Sequence, residues 1–167
     1  MELCCITGSW RRTNKQVARD VRRGVEIEIS KGNGIISGGA LGVDYTATQY
    51  VLRNGNPESQ LRIFLPAPLE IYLTHYHKKA EEGIISHKQV AFLEEQLRTA
   101  TEISPDIISS LNYKRINKHS YYVRNQKEID ACSHVRAFKV NNSSGVQDTI
   151  NKAKQQGKKV ILRRYKI

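Results

Sequence analysis

The sequence predicts a three-layer α/β domain built on a mostly parallel sheet. Two observations carry this. Short apolar runs closed by Gly, Ser or Pro alternate with longer stretches whose apolar residues recur every three or four positions. The first five elements then run strand–helix–strand–helix–strand, the unit that builds parallel sheets through helical crossovers. With 167 residues, 39% hydrophobic and 26% charged, the chain can bury one core, so a single domain over 1–167 is expected.

Each element has its own signals. Leu3 to Thr7, bounded by Gly8-Ser9, reads as a buried strand with Cys4 and Cys5 as small core residues. A helix follows, opened by a Thr13/Gln16 capping box and marked by Val17, Val21 and Val25 at four-residue spacing. Gly32 and Gly34 precede a second strand, Ile35-Ile36-Ser37, which Gly38-Gly39-Ala40 breaks at once. Val43, Ala47, Tyr50 and Val51 share one face of the next helix, which stops at Asn54-Gly55. Leu61 to Leu65 is a third strand, ended by Pro66 and Pro68. Ile71 to Glu82 and Ser86 to Thr101 carry helical spacing. The second of these opens with a Ser86/Gln89 capping box and turns Val90, Leu93, Leu97 and Ala100 inward before Pro105. The stretch around 84–106 stands out as a helical insertion, and residues 106–119 show no readable period. A helix over Val123–Ala131 leads to a fourth strand, His134 to Val140. Asn141 to Gly145 opens a last helix, with Ser144 and Gln147 in capping-box register and Val146, Ile150 and Ala153 as its stripe. Gly157 ends it before a final strand, Val160 to Leu162.

Charge narrows the partners. The formal net charge is +11, from 27 Lys and Arg against 16 Asp and Glu, which favours anionic ligands and nucleic acid foremost. The excess is concentrated in residues 10–24, in residues 112–127 and in the last seventeen residues, while 81–106 is acidic. No apolar run approaches the roughly 20 residues of a spanning helix, and Met1 to Ile6 has neither a basic leader nor a cleavage site, so no membrane partner is expected. Three cysteines argue against a disulfide framework and for a reducing compartment, the cytoplasm.

In an open parallel sheet, ligands bind beyond the carboxyl ends of the strands. Three loops there precede helices: Thr7 to Arg12, Ser37 to Asp44, and Asn141 to Gly145. Small residues let backbone N–H groups approach an anion, and helix ends add partial positive charge. The second loop, Ser37-Gly38-Gly39-Ala40-Leu41-Gly42-Val43-Asp44, resembles the S-G-x-A-x-G-I-D signature of the DNA-processing protein A (Smf) family. That family sits among Rossmann-like nucleotide-binding folds (the SLOG superfamily) that include the Lonely Guy phosphoribohydrolases. Gly8-Ser9 matches its G-S-R turn, with Trp10 in place of the arginine and Arg11 or Arg12 to substitute. Tyr122-Val123-Arg124-Asn125 resembles its F-P-x-R-N segment, with Val123 for proline. Ser144-Gly145, followed by Thr149 and Ala153, resembles its S-G…T…A helix start.

The resemblance implies a Rossmann-like fold, non-catalytic binding of single-stranded DNA, a homodimer, and hand-over of the strand to a recombinase. In that setting Arg11, Arg12 and Arg124 contact phosphate and the amides at Gly38, Gly39 and Gly145 donate to another of its oxygens. Trp10 and Tyr122 offer base-stacking surfaces. Each has a structural alternative: Trp10 as a lid over the first turn, Arg124 as an anchor for loop carbonyls, and Asp44 as a helix-dipole partner rather than a ribose contact. A sensor or carrier of a small nucleotide-derived ligand uses the same loops. Phosphoribohydrolase chemistry is the third reading. It lacks support because the stretch Asn141 to Thr149 has no paired glycines and no glutamate, and Asp148 is the only acid near it. His75, His77 and His87 have no metal-ligand spacing, no cysteine pair has one either, and no phosphate-loop motif occurs, so no metal or cofactor is expected.

Overall fold

The computed structural model describes residues 1–167. Six strands form one sheet: β1 (Leu3–Gly8), β2 (Gly34–Ser37), β3 (Leu61–Leu65), β4 (Ile108–Ser110), β5 (His134–Val140) and β6 (Lys159–Tyr165). Their order is β4-β3-β2-β1-β5-β6, and every pairing is parallel. Helices α1 (Lys15–Ser30), α2 (Val43–Asn54), α3 (Pro57–Gln60), α4 (Leu69–Glu81), α5 (His87–Ile103), α6 (Lys118–Ala131) and α7 (Ser144–Gln155) connect them.

The pleat sorts the strand side chains into two cores. Cys4, Ile6 and Ile35 join the larger one with the apolar faces of α1, α2, α4 and α5; Cys5 and Ile36 join the smaller one with α6 and α7. The result is a three-layer Rossmann-like fold. Val90, Leu93, Leu97 and Ala100 of α5 lie within the larger core, so the helical insertion helps to build it. The chain moves outward from β1 to β4, and α6 then returns it to β5 on the other side of β1. The carboxyl ends of β1 and β5 therefore flank a topological switch point, where a crevice opens.

Several local expectations change. The N-cap of α1 is Asn14, whose Oδ1 accepts the Val17 N–H at 2.9 Å, rather than Thr13. The Ser86/Gln89 capping box forms with both bonds in place. The Ser144/Gln147 box does not: Ser143 holds the N-cap position, and Lys139 Nζ on β5 claims Gln147 Oε1 at 2.7 Å. α6 begins five residues before Val123, at Lys118, because Asn117 and Ser120 cap each other reciprocally in a polar first turn that has no apolar stripe. β4 is an additional edge strand of three residues with no buried position, and α3 is a single turn; both are too short to carry a period.

Candidate functional site

A cleft of about 800 Å³ opens at the switch point, between the loops after β1 and β5 and beneath the N-terminal half of α6. Of the residues singled out in the sequence, Gly8, Trp10, Asp44, Tyr122, Arg124, Asn125, Ser144, Gly145 and Thr149 line it. Ser9, Arg11, Arg12, Ser37, Gly38, Gly39 and Gly42 do not.

The loop Ser37–Asp44 is closed by its own side chains. The Asp44 carboxylate accepts the Ala40 N–H at 3.3 Å, Ser37 Oγ accepts the Gly39 N–H at 3.2 Å, and Thr48 Oγ1 donates to Ser37 Oγ at 3.0 Å. Tyr72 donates its hydroxyl to Gly39 O at 3.0 Å. The glycines serve close packing. A Cβ on Gly38 would sit 2.6 Å from Arg124 Nη1 and 2.8 Å from Asp44 Oδ2. One on Gly42, at φ +72°, would sit 2.2 Å from Ser9 O, and one on Gly8 would meet Val43 at 2.4 Å. In this loop the Gly39 N–H is taken by Ser37 Oγ and the Ala40 N–H by the Asp44 carboxylate.

Arg124 is 8% exposed, and its bonds point inward. Nη1 donates to Gly38 O and, at 3.3 Å, to Phe64 O, while Nε donates to Asn125 Oδ1 at 3.0 Å. Nε and Nη1 thus anchor loop and strand oxygens within the protein, and the side chain also lines the cleft. Glu128, one turn further along α6, lies 3.9 Å from Arg124 Nε, is 4% exposed and receives no hydrogen bond at Oε1. Burial pushes its carboxyl up to about 8, with Arg124 opposing and Asp44 adding to the rise. Burial likewise raises Asp44 to about 6 against the pull of Arg124 and two backbone amides. Burial alone would lower Arg124, but the surrounding Glu128, Tyr72, Asp44 and Tyr121 outweigh it and hold the guanidinium charged. Two carboxyls that hold their protons more tightly than usual, Glu128 more than Asp44, thus flank a fixed cation on the cleft floor.

The loop Asn141–Gly145 differs. No side chain caps the 12-residue α7, a Cβ built on Gly145 meets nothing within 4 Å, and Ser144 and Gly145 line the cleft. Thr149 Oγ1 donates to Gly145 O at 3.3 Å and Asn125 Nδ2 to Asp148 at 3.1 Å, which fixes the wall beneath. On the other side Ser9 Oγ accepts the Arg12 N–H at 3.0 Å, and Ser9 O accepts the Val43 N–H at 3.0 Å. Arg11 and Arg12 are left exposed. The Trp10 ring packs edge-on against Tyr76 at 6.1 Å and lines the cleft. Tyr122 also lines it, with the Lys118 and Lys152 ammonium groups at 5.3 and 4.9 Å from its ring centre.

Glu128 is a cleft residue that the sequence does not single out. Its signal is the four-residue spacing from Arg124, which places both on one face of the helix expected over Val123–Ala131. Lys79 and His75 of α4 and Lys118 also reach the cleft without a motif to mark them. The basic side chains Arg19, Arg22 and Arg23 of α1 and Arg163 and Arg164 of β6 are exposed but do not line it. His75, His77 and His87 do not assemble. A different trio, Cys4, Glu28 and His134, brings its ligand atoms within 4.8 Å. Glu28 already accepts from Arg136 at 2.7 Å and Asn33 at 2.9 Å, and a guanidinium in contact disfavours a cation there. All three cysteines are buried and free, and no helix is long and apolar enough to cross a membrane.

No family model matches the chain, and no curated protein matches it significantly. Solved structures do. DNA processing protein A from Helicobacter pylori, described for its single-stranded DNA binding mode, superposes with a TM-score of 0.69 at 20% identity. The match covers 96% of this chain and 64% of that one. The same protein from Streptococcus pneumoniae gives 0.53 at 17% identity, covering 95% and 57%. The fold is that of DNA processing protein A. The chain spans about three fifths of the length of these two proteins, and identities this low speak for architecture alone.

Proposed function

We propose that the chain binds single-stranded nucleic acid non-catalytically, seating a phosphate at the N-terminus of α7 and passing the backbone along Lys118, Arg11 and Arg12. The observation that carries this reading is the open loop after β5: an uncapped helix end and a methyl-sized space at Gly145, inside the cleft at the switch point. The likeness to a protein described as binding single-stranded DNA supports the strand as ligand. A homodimer, a recombinase partner and a cytoplasmic setting belong to the same proposal. Light scattering and co-sedimentation with a recombinase filament address the first two.

Fluorescence anisotropy with a labelled 20-mer, repeated over a salt series, tests the main claim. Micromolar or tighter affinity with a steep negative slope of log K against log salt is expected. The Arg11→Ala/Arg12→Ala double variant should flatten that slope by about 1.4, or about 0.7 for each phosphate no longer neutralised. Salt-insensitive binding, or none, overturns the proposal. One observation favours a second reading: the cleft volume falls in the range of small-ligand sites, about 300–1,000 Å³. A nucleotide sensor would show thermal stabilisation by a mononucleotide and no strand affinity.

A further inference from the structure

The floor of the cleft carries a hydrogen-bonding demand that the chain itself does not meet. Glu128 lines the cleft, is 4% exposed, and its Oε1 is buried without a hydrogen-bond partner. The cation beside it does not supply one, because Arg124 Nε stands 3.9 Å away and donates to Asn125 instead. Buried polar side-chain atoms without partners are rare in folded chains, so each raises the question of what it pairs with.

The surroundings select the kind of group that could do so. Trp10 and Tyr121 stand half-buried along the same cleft and offer ring surface, and the buried Tyr76 packs edge-on to Trp10. A phosphate fits this floor poorly. Asp44 and Glu128 both line it, and Arg124 Nε and Nη1 already donate to protein oxygens. The exposed Lys118 and the uncapped start of α7 suit the phosphate better. A flat heteroaromatic ring with its own donors and acceptors suits aromatic walls over a polar floor.

We propose that this floor seats one unstacked base of the bound strand, its Watson–Crick edge paired with the Glu128 carboxyl and its ring beside Trp10 and Tyr121. The seat rests on the strand-binding proposal and adds what the bases of that strand meet. A neutral carboxyl sets an O–H donor beside a C=O acceptor. Every base carries the complement on its Watson–Crick edge: a ring nitrogen and an amino group in adenine and cytosine, a ring N–H and a carbonyl in thymine and guanine. An ionised carboxylate has acceptors alone. Guanine is then the one base that sets two donors side by side, its N1–H and its 2-amino group. The seat accepts any base while Glu128 holds its proton and selects guanine once the proton is lost.

Burial raises Glu128 to about 8, with Arg124 opposing and Asp44 adding to the rise. Its neighbours keep their charge between about pH 7 and about pH 9. Arg124 stays charged, and Asp44 of α2 titrates near 6. Burial pushes up the Cys5 thiol of β1, the Cys132 thiol just past α6, and the Tyr76 and Tyr121 hydroxyls. His75 of α4 is held below 6.5 by burial and is neutral in this range. On α7, Asp148 pairs with Lys152, and Arg62 of β3 bonds Glu58 O and Leu61 O. Lys79 and Lys118 add fixed positive charge along the cleft.

Anisotropy of the full chain with labelled 20-mers, at about pH 7 and about pH 9 and constant salt, reads the seat. Oligo-dT should bind about tenfold more weakly at the higher pH, a decade for the one unit above about 8. The same strand with one central dG should lose much less. An abasic strand of equal length should bind weakly, and equally at both pH values. Glu128→Gln keeps a donor beside an acceptor at every pH, so at pH 9 it should bind oligo-dT about tenfold more tightly than the parent. Glu128→Leu should lose the preference for oligo-dT over the abasic strand, with circular dichroism checking that each variant is folded. The comparison of strands on the parent chain needs no variant. If the abasic strand binds like oligo-dT, or if Glu128→Gln keeps the pH response, the base seat is overturned while strand binding stands. If no strand binds at either pH, the strand-binding proposal falls and the seat falls with it.

Discussion

Two strand-to-helix loops of this sheet lie beside the same crevice, and they use their backbone N–H groups differently. After β2, Ala40 gives its N–H to Asp44, Gly39 gives its own to Ser37, and Arg124 takes the carbonyl of Gly38. After β5, the helix start is uncapped and Gly145 looks onto open space. The first loop is richer in glycine and closer to a known signature, yet it is filled. Glycine there permits side chains to approach the backbone, whereas in the second loop no atom stands within 4 Å of a Cβ built on Gly145. Glycine content measures how closely something approaches, not whether that something is a ligand.

The largest expected effect separates these two roles. Arg124→Ala removes the cation that holds the first loop and leaves Asp44 and Glu128 buried beside each other. Breaking such a buried pair costs about 3–5 kcal/mol, so the urea midpoint should collapse. If the variant is instead as stable as the parent and loses strand affinity, Arg124 is a ligand contact and the first loop is a site after all. Next comes Gly42→Ala. With φ at +72° and Ser9 O only 2.2 Å from the new Cβ, strain and clash should together cost about 2–4 kcal/mol in chemical denaturation. A cost below about 1 kcal/mol would show that the packing between the first two loops gives way easily.

How much of this is legible in the sequence follows from what each residue does locally. The Val17, Val21 and Val25 repeat, the Ser86/Gln89 cap and the apolar strand runs are local patterns, and the fold follows them. β4 is not legible because a three-residue edge strand paired on one side needs no buried alternation. The cleft residues near Gly145 and Trp10 can be found because loops at strand ends announce themselves. The direction of Arg124 cannot, since nothing in Tyr122-Val123-Arg124-Asn125 says that Gly38 O and Phe64 O lie within its reach. Glu128 lies one turn after Arg124 in the expected helix, but nothing in the sequence separates a buried partner from a surface acid there. The start of α6 is not legible either, because Asn117 and Ser120 set it through polar bonds that leave no hydrophobic trace.

Acidity gives a smaller effect on the same comparison. Glu128 and Asp44 are raised in the fold, to about 8 and about 6, so they keep protons there that the unfolded chain releases near its ordinary carboxyl range. A raised acid contributes fully below its unfolded pKa of 4.5, and its contribution is lost as pH rises toward 8. Stability should therefore fall on the order of 2 kcal/mol between about pH 5 and about pH 7. Glu128→Gln, which keeps the shape without the titration, should flatten most of that fall. Glu28 does not interfere. Burial would raise it, but bonds from Asn33, Arg136 and His134 win and hold it at about 2, so its contribution is lost only as pH falls below 4.5. A thermal melting temperature that is level from pH 5 to pH 8 in the parent chain would mean that the cleft floor is wetter than its packing indicates.

The smallest effect on stability is the most informative about the ligand. Gly145→Ala adds one methyl where nothing stands within 4 Å, on a helical residue without positive φ. Surface changes of this kind usually stay within about 0.5 kcal/mol, and Ala is the better helix former, so the unfolding midpoint should hold or rise slightly. The methyl projects beside the uncapped N–H groups of α7, where the phosphate is proposed to sit. Strand affinity should drop about tenfold, the weight of one charge-assisted hydrogen bond, while the salt slope set by Arg11, Arg12 and Lys118 changes little. The contrast with Gly42→Ala is then complete: the same substitution in two loops, one costing stability and the other only binding. If Gly145→Ala binds the strand like the parent, the phosphate lies elsewhere and the loop after β5 is merely open. If it unfolds, that loop is packed as tightly as its neighbour, and the distinction between a loop filled from within and one left for a ligand fails.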